Sequence, residues 1–446
     1  MPTPRKYSRR RFLQSTAATS AAYWLTPRGA WAQSNPPAGT PGDALNVAVV
    51  GVSGRGLANI DELLKETKES KAARVVALCD VDERNFAKPL QLCPGAKTFQ
   101  DFRVMLDTMP KDIDAVLVAT PDHTHAVCAV TAMKHGKHVY CEKPLAHDVL
   151  EVRVMQQTAR EHKLCTQMGT QIHARPNYRR SVEIIQAGII GPVREVHVWS
   201  NTNWKWDAKP RPGEAPPSLD YDLWLGPAPY RRYSPSYVPF YWRWYWNFGN
   251  GSLGDMGCHY IDLPFWALSL TYPTKVSAEG PPVDAEVCPL WQIARWQFPE
   301  RGGQPAVSLN WYCGGKLPEK FEEWGLDPKW KAGVLFVGDK GQLYCDYELH
   351  RLFPRDEYKD FQAPPKTIPD SIGHHAEWVQ ACRNNDPGAP LCRFDYSGRV
   401  AETVLLGTAA YRAGTELEWD AHTAKVTNTR AADAYLKREY RKGWSL

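Results

Sequence analysis

An α/β protein is expected, with a parallel-sheet domain first and a domain built on a mostly antiparallel sheet second. Three observations carry that expectation. The chain has 446 residues, room for two or three domains of about 150 residues that each bury a core. Its first half alternates short apolar runs with amphipathic stretches, the pattern of parallel strands joined by right-handed crossover helices. After about residue 170, strand-like runs follow one another without intervening helices, which points to antiparallel pairing.

Taken in order, the apolar runs 45–50, 74–79, 114–119 and 138–141 read as strands. Helix-like stretches lie at 55–68, 82–92, 101–108, 125–135 and 147–162. The second half starts with a helix near 177–187 and a strand over 193–200, then a long aromatic loop region and a helix near 259–268. Strands follow at 291–298, 306–313 and 333–345, the last folded as a hairpin around Gly338 to Gly341. Helices at 374–384 and 396–412 and a basic tail close the chain. The expected division is 45–168, 169–373 and a C-terminal part, 374–446, that packs back on both.

Residues 1–32 read as an address. Ser8-Arg9-Arg10-Arg11-Phe12-Leu13 is a twin-arginine pattern, followed by a weakly apolar stretch and the small-x-small site Ala30-Trp31-Ala32. A Pro/Gly-rich linker spans 33–44. The reading is an exported, periplasmic protein. The formal charge of +5 rests on six cations in the leader, and the remainder carries −1. Nucleic acid is therefore not an expected partner. No run of 18 apolar residues suggests a membrane span once the leader is removed. The eleven cysteines have neither CxxC nor metal-ligand spacing. Neither a disulfide framework nor a metal is expected, although a single bridge stays open.

Gly51-Val52-Ser53-Gly54-Arg55-Gly56 follows the first strand and opens the first helix. It is the turn in which a backbone approaches a pyrophosphate, with Ser53 at the position of the second glycine. Asp80 ends the second strand, where a carboxylate accepts ribose hydroxyls, and no Arg follows at once to receive a 2′-phosphate. NAD is thus favoured over NADP. Two polar clusters fall at the carboxyl ends of further strands, Thr120-Pro121-Asp122-His123-Thr124-His125 and Glu142-Lys143-Pro144. All of these meet on one rim, where ligands of such sheets bind.

A fifth cluster, Gly249 to Asp262, holds Asp255 and His259 four residues apart. On a helix they share a face, where the carboxylate could orient an imidazole that takes a hydroxyl proton. The alternative, a capping Asp255 and a core His259, stays open on spacing alone. Between Trp199 and Trp246 lie seven of the 18 Trp and six Tyr, beside Arg-rich segments that include Arg243. Such rings and forks suit a polyhydroxylated ligand, or they pack beneath a loop layer or at a subunit interface.

The order and spacing of Gly51–Gly56, Asp80, Thr120-Pro121-x-x-x-His125, Glu142-Lys143-Pro144 and Asp255-x-Gly-x-His259 resemble the Gfo/Idh/MocA family of sugar and cyclitol oxidoreductases. The resemblance covers nearly everything from Leu45 onward. It implies a Rossmann domain followed by an open-faced, mostly antiparallel sheet domain, with nicotinamide between them. It also implies NAD contacts from Gly51, Ser53, Gly54, Arg55, Gly56, Asp80, Thr120, Pro121, His125, Glu142 and Lys143. By position, Lys143 matches the lysine that touches substrate and nicotinamide, His259 the acid/base and Asp255 its neighbour; Arg243, from the aromatic stretch, is expected beside the substrate. A homo-oligomer and a carbohydrate substrate are expected. Three functions stay in view: net oxidation of a secondary hydroxyl with tightly held cofactor, a glycosidase or epimerase that oxidises transiently, and an exported sugar-binding protein without catalysis.

Overall fold

A computed structural model describes residues 44–201 and 209–446. The leader, nearly all of the linker, and Trp204 and Trp206 lie outside the described residues.

The first domain runs β1 (Leu45–Val50), α1 (Arg55–Glu66), β2 (Ala73–Cys79), α2 (Ala87–Leu92), β3 (Lys97–Phe99), α3 (Phe102–Thr108), β4 (Ala115–Val118), α4 (Asp122–Lys134), β5 (His138–Cys141), α5 (Val149–Glu161) and β6 (Thr166–Met168). Its six strands are all parallel, in the order β3-β2-β1-β4-β5-β6. β4 is Ala-Val-Leu-Val and buried throughout, as a strand covered on both faces must be. β3 and β6 have three residues each, too few for a period to register in the sequence. α4 begins at Asp122, three residues ahead of expectation, with an acid in its first turn where the helix dipole favours one. α5 is started by a capping box between Asp148 and Glu151. The order of strand addition reverses between β1 and β4, so the crevice lies outside the carboxyl ends of these two parallel strands.

The second domain runs α6 (Pro176–Gln186), β7 (Val193–Ser200), α7 (Tyr221–Leu225), α8 (Gly251–Leu268), β8 (Lys275–Glu279), β9 (Ile293–Phe298), β10 (Val307–Cys313), β11 (Ala332–Gly338), β12 (Gln342–Cys345) and β13 (His350–Phe353). The C-terminal part adds α9 (His374–Asn384), α10 (Phe394–Ala413), β14 (Leu417–Asp420), β15 (Lys425–Val426) and α11 (Asp433–Leu436). The sheet order is β13-β12-β11-β7-β10-β9-β8-β14-β15. Every pair is antiparallel except β7 with β10.

α8 starts eight residues before the expected 259. Its glycine-rich opening is helical because tertiary packing overrides propensity. A Cβ at Gly257 would lie 3.1 Å from Val404 of α10, so the missing side chain lets the two helices approach. The aromatic loop region forms its own small core: Leu219, Trp224, Leu225, Tyr237, Trp242, Tyr245 and Phe248 are all buried together.

The C-terminal part completes both domains. Trp378, Val379 and Cys382 of α9 join the core of β1 and α1, and β14 extends the large sheet beside β8. The tail then returns to the first domain. Arg438 donates to Glu151 of α5 and to the carbonyl of His123 in α4, and Tyr440 donates to Glu151. Arg441 pairs with Asp222 of α7. All eleven cysteines are free and buried, where a thiol acts as a small hydrophobe. Among the described residues no helix is long and apolar enough to cross a membrane.

Candidate active site

The glycine turn is shaped by close approach. Gly51 has φ +81°, and a Cβ there would lie 2.7 Å from the carbonyl oxygen of Ala119. A Cβ at Gly56 would lie 1.8 Å from the oxygen of Gly51, so α1 can pack on β1 only through a glycine. Gly54, at φ +53°, has nothing within 4 Å of where a Cβ would be, and it begins α1 without a side-chain cap. The first N–H groups of the helix thus face an open cradle, the arrangement that receives a phosphate. Ser53 is exposed at the lip, so its hydroxymethyl group obstructs nothing in the fold.

Asp80 accepts hydrogen bonds from Val52 N at 2.9 Å, Asp82 N at 3.0 Å and Asn85 Nδ2 at 3.0 Å. Burial pushes its carboxyl up despite these donors. Arg84, the basic residue nearest after it, is held on Asp82.

Glu142 and Lys143 end β5 and turn in different directions. Glu142 accepts from Arg55 Nε at 3.2 Å, Asn59 Nδ2 at 2.9 Å and Gln171 Nε2 at 2.8 Å. A Cβ at Gly169 would fall 2.6 Å from this carboxylate, so the glycine makes its room. Burial opposes its charge, but Arg55, Asn59, Lys143 and Gln171 together hold it below the usual carboxylate range. Arg55 is therefore committed to Glu142 and Glu62 through its guanidinium, leaving its backbone for the cradle. His125 is likewise a brace, its two ring nitrogens lying 2.9 Å from the Pro144 carbonyl and 2.8 Å from that of Thr120. It ties the β4 rim, with Thr120 and Pro121, to the β5 rim.

Lys143 Nζ crosses to the second domain. It donates to the Asp255 carbonyl at 2.6 Å and to Asp255 Oδ1 at 2.8 Å. Arg243 Nε reaches the same Oδ1 at 3.2 Å, its guanidinium stacked 4.2 Å above Trp242 and 4.6 Å above Phe240. Asp255 is the fifth residue of α8, so the capping alternative falls. Burial works against its charge, yet Lys143 and then Arg243 keep it well below the usual carboxylate range.

His259 lies one turn further along α8. Burial, then the charge of Lys143, drives its imidazole down to about 3, so it is neutral at pH 7. Its Nδ1 is buried without a hydrogen-bond partner. An ordinary histidine value near 6.5 is thus not what the cleft provides.

Sequence reasoning left two contributors unassigned. Asp122, buried at the start of α4, is pushed up to about 8 by burial and by Asp255, against the pull of Lys143 and Arg243. It is a neutral carboxyl facing this group of charges. Its place directly after Pro121 at a strand end was the available signal. Gln171, which steadies Glu142, follows β6, and that strand was itself too short to read. In the aromatic stretch Trp224, Trp242, Trp244 and Trp246 are buried, the packing alternative, whereas Tyr230 and Tyr241 are exposed. From that region Arg243 joins Asp255 at the cleft.

Two family descriptions match the chain: the oxidoreductase family, NAD-binding Rossmann fold, over residues 45–170, and that family's C-terminal alpha/beta domain over 177–304. The chain belongs to the Gfo/Idh/MocA oxidoreductase family. It is 32% identical over 149 residues to inositol 2-dehydrogenase 2 of Saccharopolyspora erythraea, a match covering 33% of this chain and 43% of that protein. It is 32% identical over 139 residues to the 2,7-anhydro-N-acetylneuraminate hydratase of Mediterraneibacter gnavus, covering 30% and 35%. The matches therefore span less than half of either relative. In fold it is similar to the WlbA dehydrogenase of Bordetella pertussis, solved with NADH and UDP-GlcNAcA, at TM-score 0.59 and 18% identity over 84% of this chain and 99% of that one. A levoglucosan dehydrogenase solved with NADH and L-sorbose gives TM-score 0.59 and 16% identity over 84% and 99%.

Proposed function

We propose that this protein is an exported NAD-dependent oxidoreductase that acts on a secondary hydroxyl of a sugar or sugar derivative and keeps its cofactor tightly bound. The observation that carries the reading is Lys143 of the cofactor rim meeting Asp255 of the facing helix, with His259 one turn away. A binder without catalysis has no use for that convergence.

The cradle fits the cofactor: Gly51 and Gly56 let the turn and α1 pack closely, and the open space at Gly54 leaves room for a pyrophosphate at the uncapped start of α1. Asp80 at the end of β2, with Arg84 held on Asp82, supports NAD over NADP. Bound NAD supplies a hydride acceptor next to the carbon that carries the hydroxyl. Lys143 donates to the hydroxyl oxygen, exchanging its present bond to Asp255. His259 accepts the hydroxyl proton, because it is neutral and its Nδ1 is unpartnered. As the charge of Lys143 is taken up by the forming alkoxide, less of it depresses the imidazole, so basicity rises when it is needed. Asp255 then stabilises the imidazolium.

A second reading, transient oxidation followed by elimination or epimerisation and re-reduction, draws on Asp122. A neutral buried carboxyl beside Lys143 and Arg243 is an additional acid that can return a proton to the carbon next to the oxidised one. The hydratase relative is consistent with it. Export in the folded state by the twin-arginine route would carry the cofactor along, and a closed redox cycle would need no outside pool.

The test is the absorbance and nucleotide content of protein purified from the exported fraction. About one NAD(H) per chain after gel filtration, reduced by one sugar and reoxidised by its product, is the expected result. Cofactor-free protein that binds NAD only at millimolar concentration would overturn tight retention. Product analysis on glycosides then separates net from transient oxidation.

A further inference from the structure

At the amino ends of the first sheet's strands, away from the rim, three separate segments bring together one imidazole and two thiols. His138 opens β5, Cys165 immediately precedes β6, and Cys382 lies on α9. Their ligand atoms all lie within 4.8 Å of one another. Nothing in the proposed reaction uses them.

Each side chain is held in place. His138 Nδ1 accepts the Cys165 N–H at 3.0 Å, which sets the ring beside that residue. The Cys165 thiol rests on the carbonyl of Ala381 at 3.3 Å, next to Cys382. Cys165 is 0% and Cys382 5% exposed, whereas His138 is half-buried. The set contains no carboxylate, which disfavours calcium and magnesium. One nitrogen and two sulfurs are a soft donor set, suited to zinc. Ligand atoms around a tetrahedral zinc stand about 3.5 to 4 Å apart, so these three need little movement to close on an ion.

We propose that His138, Cys165 and Cys382 form a binding site for a soft divalent cation of the zinc class, with a water completing the coordination on the His138 side. The cation takes an imidazole lone pair of His138, and it displaces the thiol protons, which leave to solvent. Because Cys382 belongs to α9 and the other two to the sheet, the bound ion ties the C-terminal part of the chain to the first domain. A second buried group, His173, Asp262 and Cys392, also clusters within 4.8 Å. There His173 and Asp262 are already committed to each other as a buried ion pair, with Tyr396 on the other carboxylate oxygen, so it serves as the control.

The experiment titrates the full-length, reduced, chelator-treated protein with Cd²⁺, followed by Zn²⁺. One equivalent of Cd²⁺ should produce a thiolate-to-cadmium charge-transfer band in the ultraviolet, which Zn²⁺ abolishes. Cys382→Ala should remove the band, and Cys382→Ser should do the same if the alanine variant folds poorly. His138→Ala should weaken Cd²⁺ binding at least about tenfold, since loss of even an outer partner costs that much. Cys392→Ala should leave the titration unchanged. Three results would overturn the site: no band in the reduced protein, an unaltered band in both Cys382 variants, or a native protein two hydrogens lighter whose Cys165 and Cys382 react with alkylating agents only after reduction.

Discussion

His259 and His173 both meet α8, one as part of it and the other from the turn after β6, and their environments oppose each other. His259 shares one helical face with Asp255 and Asp262 by spacing, yet Lys143 confronts it from the rim and burial leaves it neutral. His173 is buried too, stacked 3.8 Å from Trp266, with Asp262 Oδ2 on its Nδ1 at 2.8 Å. Burial lowers that imidazole, but Asp262 outweighs it and raises the group to about 10. The same side chain thus stays neutral at one end of a helical face and becomes a fixed cation at the other. The sign of the nearest charge decides which.

Removing the fixed pair should have the largest effect. Asp262→Asn leaves His173 buried without its counter-charge and should cost about 3 to 5 kcal/mol of stability, read from denaturant unfolding. A loss well under 1 kcal/mol would mean that the pair contributes little. At the other end of the face, His259→Ala and Lys143→Ala should each lower turnover by about 10² or more while leaving the fold and NAD binding intact. Asp255→Asn should be milder, because the proton acceptor survives. Full turnover in His259→Ala would return that residue to a packing role.

Acid and base should separate the two histidines further. A group with a lowered folded value, such as His259, loses its stabilising contribution as pH falls from about 6.5 toward 3. His173, raised, contributes fully below about 6.5 and loses its contribution as pH rises toward 10. Buried His123, also down at about 3, adds to the acid side. Unfolding free energy should therefore fall between pH 7 and pH 5, by about 1 to 2 kcal/mol for each such histidine. His259→Gln should flatten that acid slope, and Asp262→Asn the alkaline one. Parallel pH profiles in both variants would contradict the assignment.

The first domain was legible because its signals are local and redundant. Long apolar runs alternate with helices, and clusters such as Gly51–Gly56 and Glu142-Lys143 fall directly after strands. The antiparallel character of the second domain and the hairpin at Gly338 to Gly341 were legible for the same reason. What escaped depends on partners far away in sequence. The start of α8 hides in glycines that are helical only because Val404 packs against Gly257. β14 exists because β8 offers an edge. The tryptophans around Trp242 suggest a sugar platform, but composition does not distinguish a ring that covers a ligand from one that covers Phe248. Asp122 lies in a polar cluster at a strand end, and its neutral state follows from burial that no short motif encodes.

The tail gives the molecule a particular order of assembly. Arg438 and Tyr440 close on Glu151 and on the carbonyl of His123, nearly three hundred residues upstream, and Trp378 of α9 fills the core of β1 and α1. The domain made first is thus finished last. A ribosome that has released residues 45–168 has released a sheet with one face still awaiting its cover, and such long-range closure is slow.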